Sequence, residues 1–121
     1  MANAINWFEI PVNDMARAVT FYSTILGVEL TADPATPGYS MAVLPNQGGV
    51  GGALLSGEGY TPSSQGVLVY LNGGDDLDAI LTRVAAAGGQ VLMPKTGIGE
   101  NGFAAFFLDS EGNKLGLHSM G

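Results

Sequence analysis

The sequence predicts an α+β fold built from two tandem βαβββ modules whose mixed sheets curve around a shared cleft. The first observation behind this prediction is a strand, a helix and a glycine stop over residues 5–27, and the second is the return of this pattern after residue 65. A shift of the chain by 62 residues places Asp14 on Asp76 and Gly27 on Gly89, so the repeat includes helix start and stop signals. We expect one domain, residues 1–121, with modules at residues 4–58 and 64–121.

The first module begins with a predicted strand at residues 5–12. Phe8, Ile10 and Val12 give this strand one fully apolar face, whereas Trp7 and Glu9 alternate onto the other. A helix follows from Met15 to Leu26, where apolar residues recur every three or four positions. Asp14 is its expected N-cap and Gly27 its expected stop.

Further strands complete each module in the prediction. In the first module they lie at residues 28–30, 39–44 and 50–56, with a proline-containing loop at residues 33–38. In the second module a strand at residues 66–71 precedes a helix from Leu77 that ends at Gly88. Strands at residues 90–93, 103–108 and 114–118 follow it, with a loop at residues 94–101 and a turn at residues 109–112.

The segment at residues 57–65 has the polar, glycine-containing composition of a linker. Its side chains Glu58, Tyr60 and Ser63 are candidates for a lid over the cleft. Since each helix covers one face of its sheet, the opposite faces should line this cleft.

Composition excludes several classes of protein. The net charge is −7 with four basic residues, which argues against binding to a nucleic acid backbone. There is no cysteine, no leader-like segment and no apolar run near 18 residues, so we expect a cytoplasmic protein without a membrane partner. Because 12% of residues are charged and 46% are hydrophobic, a second copy of the chain is expected to cover part of the surface as a homodimer.

Three segments resemble the vicinal oxygen chelate superfamily, which includes glyoxalase I, bleomycin-resistance proteins and extradiol dioxygenases. They are EIPVNDMARAVTFYSTILGVEL at residues 9–30, DDLDAILTRVAAAGGQVLMPK at residues 75–95 and FFLDSEGNKLGLH at residues 106–118. The resemblance covers nearly the whole chain. It implies the paired βαβββ fold and, in metal-dependent members, His and Glu ligands from the first and last strands of each half.

None of the side chains at the positions that match those ligands can bind a metal. They are Trp7, Ala53 (or Gly52), Val67 or Leu68, and Gly116. A divalent metal needs N, O or S atoms at about 2.0–2.6 Å. We therefore expect no metal and no other cofactor, and the resemblance leaves open whether the protein is an enzyme.

Two polar residues could still carry chemistry. Glu9 stands in mid-strand beside Trp7, as an acid/base group, as a ligand anchor, or in a structural ion pair with Lys114, Arg17 or a partner subunit. His118 is the one histidine, and it is either a base or ligand contact, or a polar residue at the fraying end of the last strand.

An aromatic cup is the remaining candidate site. Large apolar side chains on an open sheet face commonly line a small-molecule pocket, although the same residues could close the cleft as core. The members are Trp7, Met41, Phe103 and Phe107, with Glu9 and His118 as the polar contacts.

Two functions follow. The first is binding of a small apolar or aromatic molecule between the two sheets by a glyoxalase-like protein without the metal ligands. The alternative is a lyase or isomerase that uses Glu9 and His118 as acid and base, with or without a metal.

Overall fold

The computed structural model describes residues 3–34 and 37–121, which form eight strands and two α-helices. In chain order the elements are β1 (Trp7–Pro11), α1 (Met15–Leu26), β2 (Ala32–Pro34), β3 (Ser40–Val43), β4 (Gly51–Ser56), β5 (Tyr70–Asn72), α2 (Leu77–Ala86), β6 (Gln90–Gly97), β7 (Phe103–Leu108) and β8 (Lys114–Ser119). A short 3-10 helix, Gly99–Asn101, connects β6 to β7.

The strands form two four-stranded sheets of the same topology. The first sheet has the order β1-β4-β3-β2 and the second β5-β8-β7-β6. In each sheet the first and last strands of the module are parallel, and the other neighbours are antiparallel. The predicted α+β fold of two βαβββ modules is therefore confirmed.

Both helices begin at the predicted caps. The Asp14 carboxylate accepts a hydrogen bond from the Arg17 N–H at 3.0 Å, and Asp76 accepts one from Ala79 at 3.2 Å. The chain leaves α1 through Gly27 at φ 66°, a left-handed conformation that glycine adopts without steric cost.

Strand boundaries differ from the prediction at three places. The described chain has no strand at residues 28–30, and β2 lies instead at Ala32–Pro34, which overlaps the start of the predicted loop. Residues 35 and 36 of that loop lie outside the described residues. β5 begins at Tyr70, and β6 continues to Gly97. Pro94 is tolerated in β6 because the register shifts between Met93 and Thr96, where a proline breaks no regular ladder.

One cluster of buried side chains draws on both modules. α1 packs against β3, β4 and α2, while α2 also packs against the second sheet. At the centre of the cluster, the rings of Phe21 and Phe107 lie 6.1 Å apart. Each sheet therefore buries one face beneath its helix, and we call the opposite face its free face.

The hairpin turn of the second module holds the start of α1. The buried Glu111 carboxylate accepts hydrogen bonds from the backbone of Asn13 and Asp14, and from Arg17 at 2.7 and 2.9 Å. Burial raises the pKa of Glu111, but the hydrogen bonds from Arg17, Asp14, Ser110 and Asn13 outweigh it and bring the pKa to about 2.

Asp109 and Asn113 extend this link. The Tyr22 hydroxyl donates to Asp109 at 2.6 Å, and Asn113 donates to the Pro11 carbonyl at 2.7 Å. Burial raises the pKa of Tyr22 well above its ordinary value, and the nearby Asp109 charge and hydrogen bond add to the effect. The D-x-E-G-N hairpin is thus a structural joint between the modules.

Candidate functional site

The register of the strands places three predicted site residues on the first free face. Trp7 pairs with Gly51, Glu9 pairs with Ala53, and Pro11 pairs with Leu55, so these residues share a face. Met41 pairs with the same Leu55 and joins them. His118 lies on the second free face, where it pairs with Asn72.

In both sheets an aromatic ring of the first strand lies against a glycine of the last strand. Tyr70 pairs with Gly116 as Trp7 pairs with Gly51. A Cβ built on Gly116 would come within 2.6 Å of the Tyr70 ring, and one on Gly51 within 3.1 Å of the Trp7 ring. Each glycine therefore leaves room for the ring beside it.

The register gives the equivalent metal-ligand positions of the two modules. The parallel strand pairs end alike, because the Val12 N–H donates to the Leu55 carbonyl as the Gly73 N–H donates to the His118 carbonyl. Counted from that end, Ala53 is the equivalent of Gly116, and Leu68 is the equivalent of Trp7.

The side chains at these positions do not fit a metal. The residues are a tryptophan, an alanine, a leucine and a glycine, whereas a divalent ion prefers imidazole, thiolate or carboxylate donors. Within residues 3–34 and 37–121, no three His, Cys, Asp or Glu side chains converge as a metal site.

Two other predicted site residues lie on the wrong face. Phe103 pairs with Ser119 and Phe107 with Leu115, so both point toward α2 and the core, and Phe107 is fully buried. The residues opposite His118 and Gly116 are Ala104 and Phe106. Pairing Phe103 with His118 would need four residues between β7 and β8, but five residues, 109–113, connect them. A one-residue slip exchanges the two faces of a strand.

A depression of about 890 Å³ covers the second free face. Large apolar side chains supply most of its lining: Tyr70, Met93, Ile98, Phe106 and Met120. The rings of Tyr70 and Phe106 lie 5.9 Å apart and form its floor. Sequence reasoning missed these residues because β5 was placed too early and β7 was assigned the opposite face.

Polar groups occupy the rim of this depression. The half-buried His118 places Nε2 2.6 Å from the carbonyl oxygen of Asn101, in the 3-10 helix between β6 and β7. Asn72, Asp75 and Thr96 also line the rim. His118 therefore lies within β8 and has a backbone partner outside that strand.

Glu9 has local partners on the first free face. One carboxylate oxygen accepts from the Trp7 indole N–H at 3.2 Å, and the other accepts from the Tyr60 hydroxyl at 2.9 Å. The hydrogen bond to Glu9, with smaller effects from burial and the carboxylate charge, raises the pKa of Tyr60. Arg17 pairs with Glu111 and not with Glu9.

A smaller pocket of about 160 Å³ separates β1 from β8. It is lined by Glu9 and Pro11, by Thr61 and Ser63 of the linker, and by Lys114. Glu9 therefore lines this pocket, whereas His118 lines the large depression. The two groups proposed as an acid and base face different spaces.

Comparison with known families gives the class of protein. A family model described as Glyoxalase/Bleomycin resistance protein/Dioxygenase superfamily matches residues 4–117, and the chain belongs to this superfamily. None of the described helices is long and apolar enough to span a membrane.

Particular relatives lie among bacterial proteins. The CFP32 proteins of Mycobacterium tuberculosis and Mycobacterium bovis, provisionally named glyoxylases, are 31% identical over 118 residues. The match covers 93% of this chain and 44% of each relative, so the chain spans less than half of their length.

Solved structures share the fold. TnmS3, an antibiotic-binding protein from Streptomyces sp. CB03234, is 27% identical with a TM-score of 0.64, and the match covers 98% of this chain and 97% of that one. Glyoxalase I from Zea mays has a TM-score of 0.68 at 18% identity, with 94% of this chain and 43% of that chain covered, and it shows the fold alone.

Proposed function

We propose that this protein binds a small apolar or aromatic molecule on the free faces of its sheets without using a metal. The observation that carries the proposal is the depression on the second free face, with the Tyr70 and Phe106 rings as its floor and Met93 in its wall. A concave, mostly apolar surface with a few polar groups at its rim is the usual form of a small-molecule site.

The comparison with TnmS3 supports the same proposal. That protein is described as antibiotic-binding and shares 27% of its residues with this chain. Binding alone would not require the metal ligands that glyoxalase chemistry uses, and none of the side chains at their positions here can bind a metal.

We also propose that the chain functions as a homodimer. Trp7, Val43 and Tyr70 stand on the free faces with 43%, 47% and 49% of their surface exposed. Large apolar side chains clustered on two faces favour coverage by a second copy, which would also enclose a bound molecule.

The alternative function, a lyase or isomerase step with Glu9 and His118 as acid and base, gains no support from the geometry. An acid and a base must both lie within about 3 Å of the atoms they protonate or deprotonate. Glu9 lines the small pocket and His118 lines the large depression, and Glu9 already accepts two hydrogen bonds.

A fluorescence titration with N-phenyl-1-naphthylamine tests the proposal. We expect saturable binding that Met93→Ala weakens about three- to tenfold, because Met93 lines the depression. Leu92→Ala is the matched control, since this neighbour is exposed on the same strand outside the depression. If both variants bind the dye with equal affinity and have unchanged thermal midpoints, the dye binds outside the depression and the proposal is overturned.

A further inference from the structure

We propose that the depression on the second free face selects neutral or cationic aromatic molecules that donate hydrogen bonds, and disfavours anions. This inference rests on the proposed function and adds the charge and the hydrogen-bonding class of the ligand. It is based on how the polar side chains around the depression are already hydrogen-bonded.

His118 offers an acceptor to the depression. The Asn101 carbonyl oxygen can only accept, so the Nε2 atom 2.6 Å away carries the ring proton. In the neutral imidazole, Nδ1 then holds a lone pair and no hydrogen. A ligand hydroxyl or amine N–H can donate to this lone pair, whereas a carboxylate or sulfonate oxygen cannot.

Thr96 also offers an acceptor and no donor to a ligand. Its hydroxyl donates to the Pro94 carbonyl at 2.8 Å, so what remains for a ligand is the oxygen lone pairs. Asn72 is the exception, because its carbonyl oxygen accepts from the Gly74 N–H at 2.9 Å and its amide hydrogens remain. The depression therefore offers a ligand uncharged acceptors, while its side-chain donors are the Asn72 amide and the Tyr70 hydroxyl.

The charges of the residues that line the depression also disfavour an anion. Among the described residues that line the depression, Asp75 carries a charge and no lysine or arginine is present. Lys114 lies on the same free face with its Nζ 4.7 Å from the centre of the Phe106 ring, and it lines the small pocket and not the depression. The net charge of the chain, −7, adds to this field.

An anion would enter this site at a disadvantage. It would lose part of its hydration without gaining a charged donor in return, and it would face the Asp75 carboxylate. A cation would gain from the same carboxylate and from the face of Tyr70, whereas the Phe106 ring already holds the Lys114 ammonium.

Two dyes with one skeleton test the inference. N-phenyl-1-naphthylamine is neutral and carries an N–H, and 8-anilino-1-naphthalenesulfonate is the same molecule with a sulfonate. We expect the neutral dye to bind at least tenfold more tightly. Asp75→Asn should raise the affinity for the sulfonate at least threefold and leave that for the neutral dye within twofold. Asp78→Asn, an exposed carboxylate outside the lining, is the control.

A second pair of probes tests hydrogen donation. 1-Naphthol should displace the neutral dye at a concentration at least threefold lower than 1-methoxynaphthalene, which lacks the hydroxyl hydrogen. Equal competition by this pair, or a sulfonate dye that binds as tightly as the neutral one, would overturn the inference. If both dyes bind equally and Met93→Ala still weakens them, the ligand class is wrong while the binding function is retained. No binding of either dye would overturn both proposals.

Discussion

The ring of Tyr70 lies directly against Gly116. The carbon of a methyl group added to Gly116 would lie 2.6 Å from an atom of this ring. Gly116 is the position at which the superfamily resemblance implies a metal-binding Glu. In this protein the residue there has no side chain, and an aromatic ring from the neighbouring strand occupies the space. In the first sheet the Trp7 ring lies in a similar way against Gly51.

Gly116→Ala should therefore displace the Tyr70 ring. The ring is half exposed and can rotate away, so we expect a loss of stability of about 1 kcal/mol and a several-fold weaker binding of N-phenyl-1-naphthylamine. Chemical denaturation and dye titration measure the two effects. Gly97→Ala is the matched control, because its Cβ would meet its nearest neighbour at 3.9 Å. If the two variants behave alike, the ring does not depend on the glycine.

A metal titration tests the loss of the ligand set. After treatment with chelator, we expect Ni, Zn, Mn and Fe(II) to leave the thermal midpoint unchanged. A ligand at a hundred times its dissociation constant would add about 2.7 kcal/mol, which is readily visible in a domain of this size. A clear increase that Glu9→Gln or His118→Ala abolishes would mean that metal binding has moved to other residues.

Glu111 should dominate the acid sensitivity of the fold. Its pKa is about 2 in the folded protein against an ordinary value of 4.5. Since the folded pKa is the lower one, the stabilisation is complete above about pH 5 and is lost as the pH falls toward 2.

Glu111→Gln should lower the free energy of unfolding at pH 7 by roughly 1–2 kcal/mol, a value reduced for the solvent exposure of Arg17. It should also flatten the dependence of stability on pH between about 5 and 2. Urea denaturation across this range is the measurement, with the exposed Glu100→Gln as the control. A variant with the wild-type slope would place the acid sensitivity in other carboxylates.

The pKa of Tyr60 should depend on Glu9. Because the hydrogen bond to Glu9 raises the pKa of the phenol, Glu9→Gln should let Tyr60 ionise at a lower pH. An ultraviolet titration of phenolate absorbance measures this, and Tyr60→Phe identifies the contribution of this tyrosine among the four. An unchanged titration curve in Glu9→Gln would show that the two side chains do not interact in solution.

The sequence predicts the fold well because its signals are local. The Asp14 and Asp76 caps, the Gly27 stop and the apolar periods of both helices depend on residues within a few positions of each other. The faces of β7 could not be predicted as safely, because they depend on whether four or five residues connect it to β8. The capping of α1 by Glu111 joins residues almost a hundred positions apart, and no local pattern indicates it.

The candidate site was therefore predicted in part. Trp7, Glu9 and Met41 reach the first free face by simple alternation, and His118 reaches the second. Phe103 and Phe107 do not lie on a free face. Tyr70, Met93 and Phe106 were missed because the strand register of the second sheet, which decides the face of each residue, is not given by the sequence. Their role as ligand contacts stays a prediction until the dye titrations are done.

The division of each sheet into a buried and a free face has an evolutionary consequence. The contacts that hold the modules together, from Phe21 and Phe107 to Glu111, lie beneath the helices or at the hairpin, away from the depression on the second sheet. Mutations on the free face can thus change what is recognised while the scaffold keeps its stability. A protein of this design is free to drift from one small molecule to another, with few of the intermediate sequences lost to misfolding.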